Sequence, residues 1–240
     1  MPDKRKHRGA HPDDEKLFSA QQLASLRAAV SDFSMLLTGG YAARSALKLV
    51  GDRYQLTSRQ RLAVMRSACS DEQLAWRKQN EVSVAALAGR GLAVDGYNVL
   101  ITVEAALSDG FVFIGRDGCY RDLAGLHGTY RKVNETVKAI ELIGTTLQRL
   151  RVSSVIWFLD KPVSNSGRLK QLIGRITEAN RWQWDVELVC SPDKELCRAE
   201  QIVATSDGVI LDRAGGWVNL VGHFIRESIP SARVINLACE

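Results

Sequence analysis

The chain has 240 residues, 45% hydrophobic and 25% charged, with a net charge of +5; that suits one domain with an appended piece and excludes a largely disordered chain. No apolar run approaches the ~20 residues needed to cross a bilayer, and the basic start "MPDKRKHRGAHPDDEK" runs into acids instead of a signal-like apolar segment, so a cytoplasmic protein without a membrane partner is expected. Residues 1–90 hold 15 Lys/Arg against 9 Asp/Glu, whereas residues 91–240 hold 17 against 18, a split that suits a polyanion held by one part and processed by the other, or equally helices carrying solubilising cations.

Residues 1–16 read as a charged, flexible N-terminus. "SAQQLASLRAAVSDFSMLLTGG" then reads as a helix, with Ser19 and Gln22 as a capping box, Leu23, Leu26, Val30, Phe33 and Leu37 at helical spacing, and Gly39-Gly40 as the stop. A second helix, "YAARSALKLV", is expected to end at Gly51. A third, "TSRQRLAVMRSAC", starts at a Thr57 or Ser58 cap with Leu62, Val64 and Met65 inward and Arg59, Arg61 and Arg66 largely outward. Ser70 and Gln73 make another capping box before "DEQLAWRKQN". Residues 17–85 therefore form a basic helical domain, with a boundary between Asn80 and Gly91.

From Leu92 short β-branched or aromatic runs alternate with helical segments, the mark of βαβ units and a parallel sheet. Central strands are expected at residues 92–94, 153–159, 186–190 and 201–205, with a late strand at 232–237. Helices are expected at 135–150, 166–181 and 218–228, and "GFVFIGRDGCYRD" reads as an inserted strand and turn. The five cysteines, Cys69, Cys119, Cys190, Cys197 and Cys239, are scattered and odd in number, which favours buried free thiols over a disulfide framework or a zinc knuckle.

In an open α/β sheet, ligands bind beyond the carboxyl ends of the strands. The residues there are Asp95, Asp160, Asp193 and Asp207, with Asp212 a turn later. Singly, each is explained as a turn residue or a helix cap. Together they repel one another, and hard divalent cations such as Mg²⁺ or Mn²⁺ would relieve that repulsion. Asn98 adds an uncharged oxygen, and no histidine accompanies these loops, which argues against a zinc hydrolase.

The stretches "VDGYNVL", "WFLDKP" and "VATSDGVILD" resemble the PIN-like nuclease superfamily, especially its NYN and YacP-like branch, over about residues 91–240. The N-terminal "SALKLVGDRYQLTSRQRLA" resembles an uncharacterised helical domain found joined to such a domain. The resemblance implies a three-layer α/β/α PIN-like domain (91–240) with a central parallel sheet, preceded by a small all-α domain. It also implies Mg- or Mn-dependent hydrolysis of RNA phosphodiesters. On that reading Asp95, Asp193 and Asp207 are metal ligands, Asp160 joins them as a catalytic acid, and Asn98, Glu104 and Asp212 support them. Glu104 is the candidate for the acid such domains place on an early helix, with Asp117 and Asp122 as alternatives.

RNA needs cations beside those acids. "GCYRDLAGLHGTYRKVNET" offers Arg121, His127, Tyr130, Arg131 and Lys132. "DKPVSNSGRLK" offers Lys161, Ser164, Asn165, Ser166, Arg168 and Lys170, with Ser166 as cap of the following helix. Trp182 and Trp184 read as core more readily than as base-stacking platforms. The alternative to a ribonuclease is a non-catalytic RNA-binding or scaffold protein on the same fold. The sequence is compatible with a homodimer.

Overall fold

The computed structural model describes residues 6–125 and 128–238; His127 and Cys239 lie outside the described residues. The helical part comprises α1 (Asp14–Leu17), α2 (Ala20–Thr38), α3 (Ala43–Arg53), α4 (Ser58–Ser67) and α5 (Asp71–Asn80). A 3-10 turn (Val84–Leu87) leads into β1 (Gly91–Asp95) and α6 (Gly96–Leu107), followed by the strands β2 (Phe111–Ile114) and β3 (Tyr120–Asp122). The chain continues through α7 (Thr136–Arg149), β4 (Ser154–Asp160), α8 (Ser166–Asn180), β5 (Trp184–Val189), α9 (Pro192–Leu196) and β6 (Ile202–Ala204). It ends with α10 (Gly208–Leu211), β7 (Trp217–Val218), α11 (Leu220–Ser228) and β8 (Arg233–Asn236).

Five strands form one parallel sheet in the order β5-β4-β1-β6-β7. In β1, Leu92 and Val94 point to a core shared with α6, α7, α8 and α11, while Ala93 joins Val203, Phe158, Leu196 and Ile210 on the other face. That period-2 split makes β1 apolar on both sides, as a central strand covered by two helical layers must be. The result is the α/β architecture expected from the sequence, with an N-terminal helical region. At the end of β1 the chain turns directly into α6 through Gly96, where a Cβ would stand 2.5 Å from a Leu159 methyl and 2.8 Å from the Phe158 carbonyl.

The inserted segment is a β2–β3 hairpin, and the expected late strand, β8, does not join the main sheet. It runs parallel to β2 in a second sheet ordered β3-β2-β8. The helical part buries Phe18, Leu26, Val30, Phe33, Val50 and Val64 against Phe111 and Phe113 of β2 and against Ile235 and Leu237, so the helices and the small sheet share one core.

Some local expectations are met and others change. Ser70 and Thr57 form complete capping boxes with Gln73 and Gln60. Ser19 makes no side-chain cap; the Gln22 amide bonds to the Ser19 carbonyl instead. Helix α3 runs through Gly51 to Arg53, and the absence of a side chain at Gly51 lets the Arg61 guanidinium lie against the backbone. Met65 is turned outward, and Val218, expected to open the last helix, closes β7 instead. Cys69 and Cys119 are buried free thiols, but Cys190 is exposed.

Instead of hanging free, the N-terminal stretch is held from residue 6 onward. The Asn134 amide bonds to the Lys6 carbonyl, Arg8 reaches Glu104, and buried Asp14 pairs with Arg59. Trp182 is core: it covers Gly144, and its ring centroid lies 4.7 Å from that of Trp184.

Candidate functional site

Asp160 and Asp95 are the last residues of β4 and β1, and Asp207 stands three residues past β6; the three strands are adjacent and parallel, so the sheet itself sets these acids along one edge. Asp95 is half-buried. Its Oδ2 accepts a 2.7 Å hydrogen bond from the Thr205 hydroxyl. Burial pushes its carboxyl up to about 7, with the charges of Asp207 and Asp193 adding to the rise and the Thr205 bond opposing it. Asp160 is also raised, by burial first and then by Asp193. Asp193 is exposed at the start of α9, close enough to act on both.

The loop carrying Asp207 is tightly specified. Asn98 Oδ1 accepts from the Ser206 amide (2.8 Å) and hydroxyl (2.9 Å), tying the first turn of α6 to the end of β6. The Asp207 amide donates to the Thr205 hydroxyl, and Asp207 Oδ1 accepts from the Val209 amide, capping α10. Beneath the loop, Arg121 Nε donates to the Ser206 carbonyl while its other nitrogens grip Asp117 at 2.8 and 2.6 Å. Arg77, from α5, bonds Asp117 at 2.6 Å, Asp212 at 2.7 Å and the Gly208 carbonyl. Burial works to raise the Asp117 pKa, but the Arg121 and Arg77 guanidinium groups outweigh it and hold the carboxyl well below its usual range.

Some expected site residues are therefore placed elsewhere. Arg121 is buried and saturated by internal partners, so it is not a surface contact for phosphate. Asp212 is bound by Gln73 and Arg77, which gives it a role in joining the helical part to the Asp207 loop. Glu104 lies nine residues into the chain beyond Asp95, roughly 13 Å along a helix at 1.5 Å per residue. It is fully buried, holding Arg8, the Tyr130 hydroxyl and the Thr136 hydroxyl; burial raises its pKa despite these partners. Asp122 holds the Thr102 hydroxyl and the Ala124 amide. All three candidates for an early-helix acid are thus bound to internal partners, and of the three Asp122 lines the cleft that also holds Asn98 and Asp207.

The cations separate in the same way. Arg131, Lys132 and Arg168 line one groove of about 430 Å³ beside α8, together with Arg175, which the sequence reading did not single out. Among the described residues none of these four side chains has a carboxylate partner. Asn165 Nδ2 donates to the Tyr130 carbonyl, and Thr129 bridges to Ser164, which fastens the loop of Arg131 to the loop following Asp160. Lys161 and Lys170 are exposed outside the groove lining. Ser166 is not the cap. It is buried, and its hydroxyl points to the Lys161 carbonyl, while Asn165 occupies the cap position in a left-handed conformation (φ 70°).

Two contributors had no expected role. Tyr97 is buried with its hydroxyl unpaired, its ring centroid 5.3 Å from that of Tyr130; burial and then the charge of Asp160 raise its pKa. Thr205 orients Asp95 and was legible only as part of the stretch before Asp207. As for a metal, the donor set is all oxygen and its acids repel, which fits a hard divalent cation. Among the described residues, however, no group of three or more His, Cys, Asp or Glu stands close enough together to be a ready-made cage. Mg²⁺ needs less, since it binds through one or two carboxylates, waters and substrate phosphates.

A parallel sheet with an acidic carboxyl edge, a small second sheet and a helical part sharing its core define an α/β protein whose open strand ends are built for charge. The chain belongs to the family described as "Domain of unknown function (DUF5616)", which matches residues 84–223, and residues 25–80 match "Protein of unknown function (DUF434)". An uncharacterized protein of Methanocaldococcus jannaschii is 34% identical over 206 residues, covering 85% of this chain and 97% of that one. No solved structure matches. Among the described residues, no helix is long and apolar enough to cross a membrane.

Proposed function

We propose that this protein is a Mg²⁺- or Mn²⁺-dependent ribonuclease of PIN-like type, cutting RNA at the edge formed by Asp95, Asp160, Asp193 and Asp207. The observation that carries the reading is Asp95: a half-buried carboxyl at the end of the central strand, raised to about 7 by burial and by two neighbouring acids, in a chain whose α8 groove holds four cations with no carboxylate partner among the described residues. A divalent cation would relieve the mutual repulsion of those acids.

The chemistry a bound divalent cation would supply there is positive charge against the negative charge that grows on the phosphoryl oxygens. Asp95 and Asp207 would hold it, with Asp193 reaching in from α9. The chain's own residues do the positioning. Thr205 fixes the Asp95 carboxyl, Asn98 and Arg121 fix the Ser206 backbone, and the α8 groove places the RNA backbone through Arg131, Lys132, Arg168 and Arg175. The helical part contributes Arg77 beneath the Asp207 loop. Its surplus cations count less toward RNA binding than their number suggests, since Arg53, Arg59, Arg61 and Arg77 are already paired with acids.

The test is cleavage of unstructured RNA by the purified protein with either metal, lost in Asp95→Asn and in Asp207→Asn. Cutting that survives both substitutions would overturn the assignment. One observation favours the second reading, a non-catalytic RNA-binding protein: Glu104, Asp117 and Asp122 are all committed to internal partners. Tight Mn²⁺ binding that disappears in Asp95→Asn would count against it.

A further inference from the structure

We propose that the cleft between the helical part and the Asp207 loop receives one unpaired nucleoside of the RNA, adjacent to the phosphodiester held at the carboxylate edge. The inference rests on the ribonuclease reading and deepens it by giving the substrate a conformation. The cleft has a volume of about 520 Å³, within the range of small-molecule sites, and it shares Asn98 and Asp207 with the acidic edge. One wall comes from α2 and α4 and the other from the Asp207 loop and α6.

Its chemistry is opposite to that of the α8 groove. Of the arginines lining it, Arg77 and Arg121 are consumed by Asp117, and Arg66 has one nitrogen on the Asp122 carbonyl. The same cleft contains Asp122, Asp207 and Asp212. A phosphate entering it would meet three carboxylates and little spare positive charge. An uncharged, partly apolar group would not. Met65 and Val209, 44% and 52% exposed, face the cleft from opposite walls as uncovered apolar surface. Both Asn98 side-chain N–H donors lack a partner among the described residues, because only its oxygen is used, on Ser206. Apolar walls with a few free donors are what a base requires.

The two grooves are neighbours. Tyr97 lines the neutral cleft, Tyr130 lines the cationic one, and their rings pack together. A strand can therefore lay its phosphates along α8 and turn one base into the neutral cleft. A base still paired in a duplex cannot do so without leaving its stack. The helical part then acts as the second wall of a base pocket.

The experiment is fluorescence anisotropy with a labelled, unstructured oligoribonucleotide of about a dozen residues and with a blunt duplex of the same sequence, both in chelator. Wild type is compared with Met65→Trp and Val209→Trp, which fill the cleft from opposite walls at exposed positions. Both variants are expected to bind the single strand about tenfold or more weakly. Their slope of log affinity against log salt should be unchanged, because no phosphate contact is lost. Duplex binding should be the same in all three proteins. Unaltered single-strand affinity in both variants would overturn the inference and leave the ribonuclease reading standing, and so would a shallower salt slope, which would mean the cleft takes phosphate. A wild-type protein that neither binds nor cuts RNA would overturn the reading itself, and the inference with it.

Discussion

Asp95 should be a burden on the metal-free fold, and replacing it by asparagine should make the protein more stable. Its carboxyl is pushed from an ordinary 3.8 to about 7, chiefly by burial and then by Asp207 and Asp193. Asparagine has nearly the same shape, still accepts from the Thr205 hydroxyl and carries no charge. The folded carboxyl keeps its proton to higher pH than the unfolded one. Stability is therefore fully present below about pH 4 and falls as pH rises through about 7. The difference between 3.8 and about 7 corresponds to about 4 kcal/mol at alkaline pH. Partial exposure screens the charge, so about 2 kcal/mol or more is the expected gain in Asp95→Asn. Urea unfolding with chelator should give nearly coincident curves near pH 4 and a more stable variant near pH 8. Millimolar Mn²⁺ should then stabilise wild type by mass action and leave the variant unchanged. A variant no more stable than wild type near pH 8, or one stabilised equally by Mn²⁺, would refute the reasoning.

Arg77→Met leaves Asp212 with Gln73 alone and removes one of the two guanidinium partners of Asp117; a loss of about 3–5 kcal/mol is expected from urea unfolding, and a loss below about 1 kcal/mol would show that Arg121 suffices. Glu104→Gln should leave Mn²⁺ affinity by calorimetry unaltered while lowering stability, because the acid serves Arg8 and not the carboxylate edge. Gly96→Ala forces a methyl into the Phe158 carbonyl and Leu159, and should cost about 1–3 kcal/mol by the same unfolding assay. Reversing Arg168 and Arg175 together to Glu should flatten the salt dependence of RNA binding by about 1.4 in slope, the equivalent of two phosphate contacts.

The main sheet was readable because each central strand is a short apolar run that ends in a polar residue, and because Ser70-Gln73 punctuates the helical part by a purely local hydrogen-bond pattern. The two-residue β7 is too short to carry periodicity, and its pairing with β6 is decided at long range. Glu104 misled because an acid inside an apolar helix reads as a site; only the fold brings Arg8, 96 residues away, to neutralise it. Arg121 is different. Its partner Asp117 stands four residues earlier in "RDGCYR", so a local ion pair was visible beside the phosphate-binding reading. Arg175 could have been found by continuing one helical face seven residues on from Arg168. Nothing local connects Arg77 to a loop more than 130 residues further along.

The core that joins Phe111, Phe113, Ile235 and Leu237 to the N-terminal helices has a consequence for inheritance. A gene rearrangement that detached the helical segment would leave those side chains as an apolar face on the small sheet, and would take Arg77 from under the Asp207 loop at the same stroke. The shared core thus favours the two segments being inherited together.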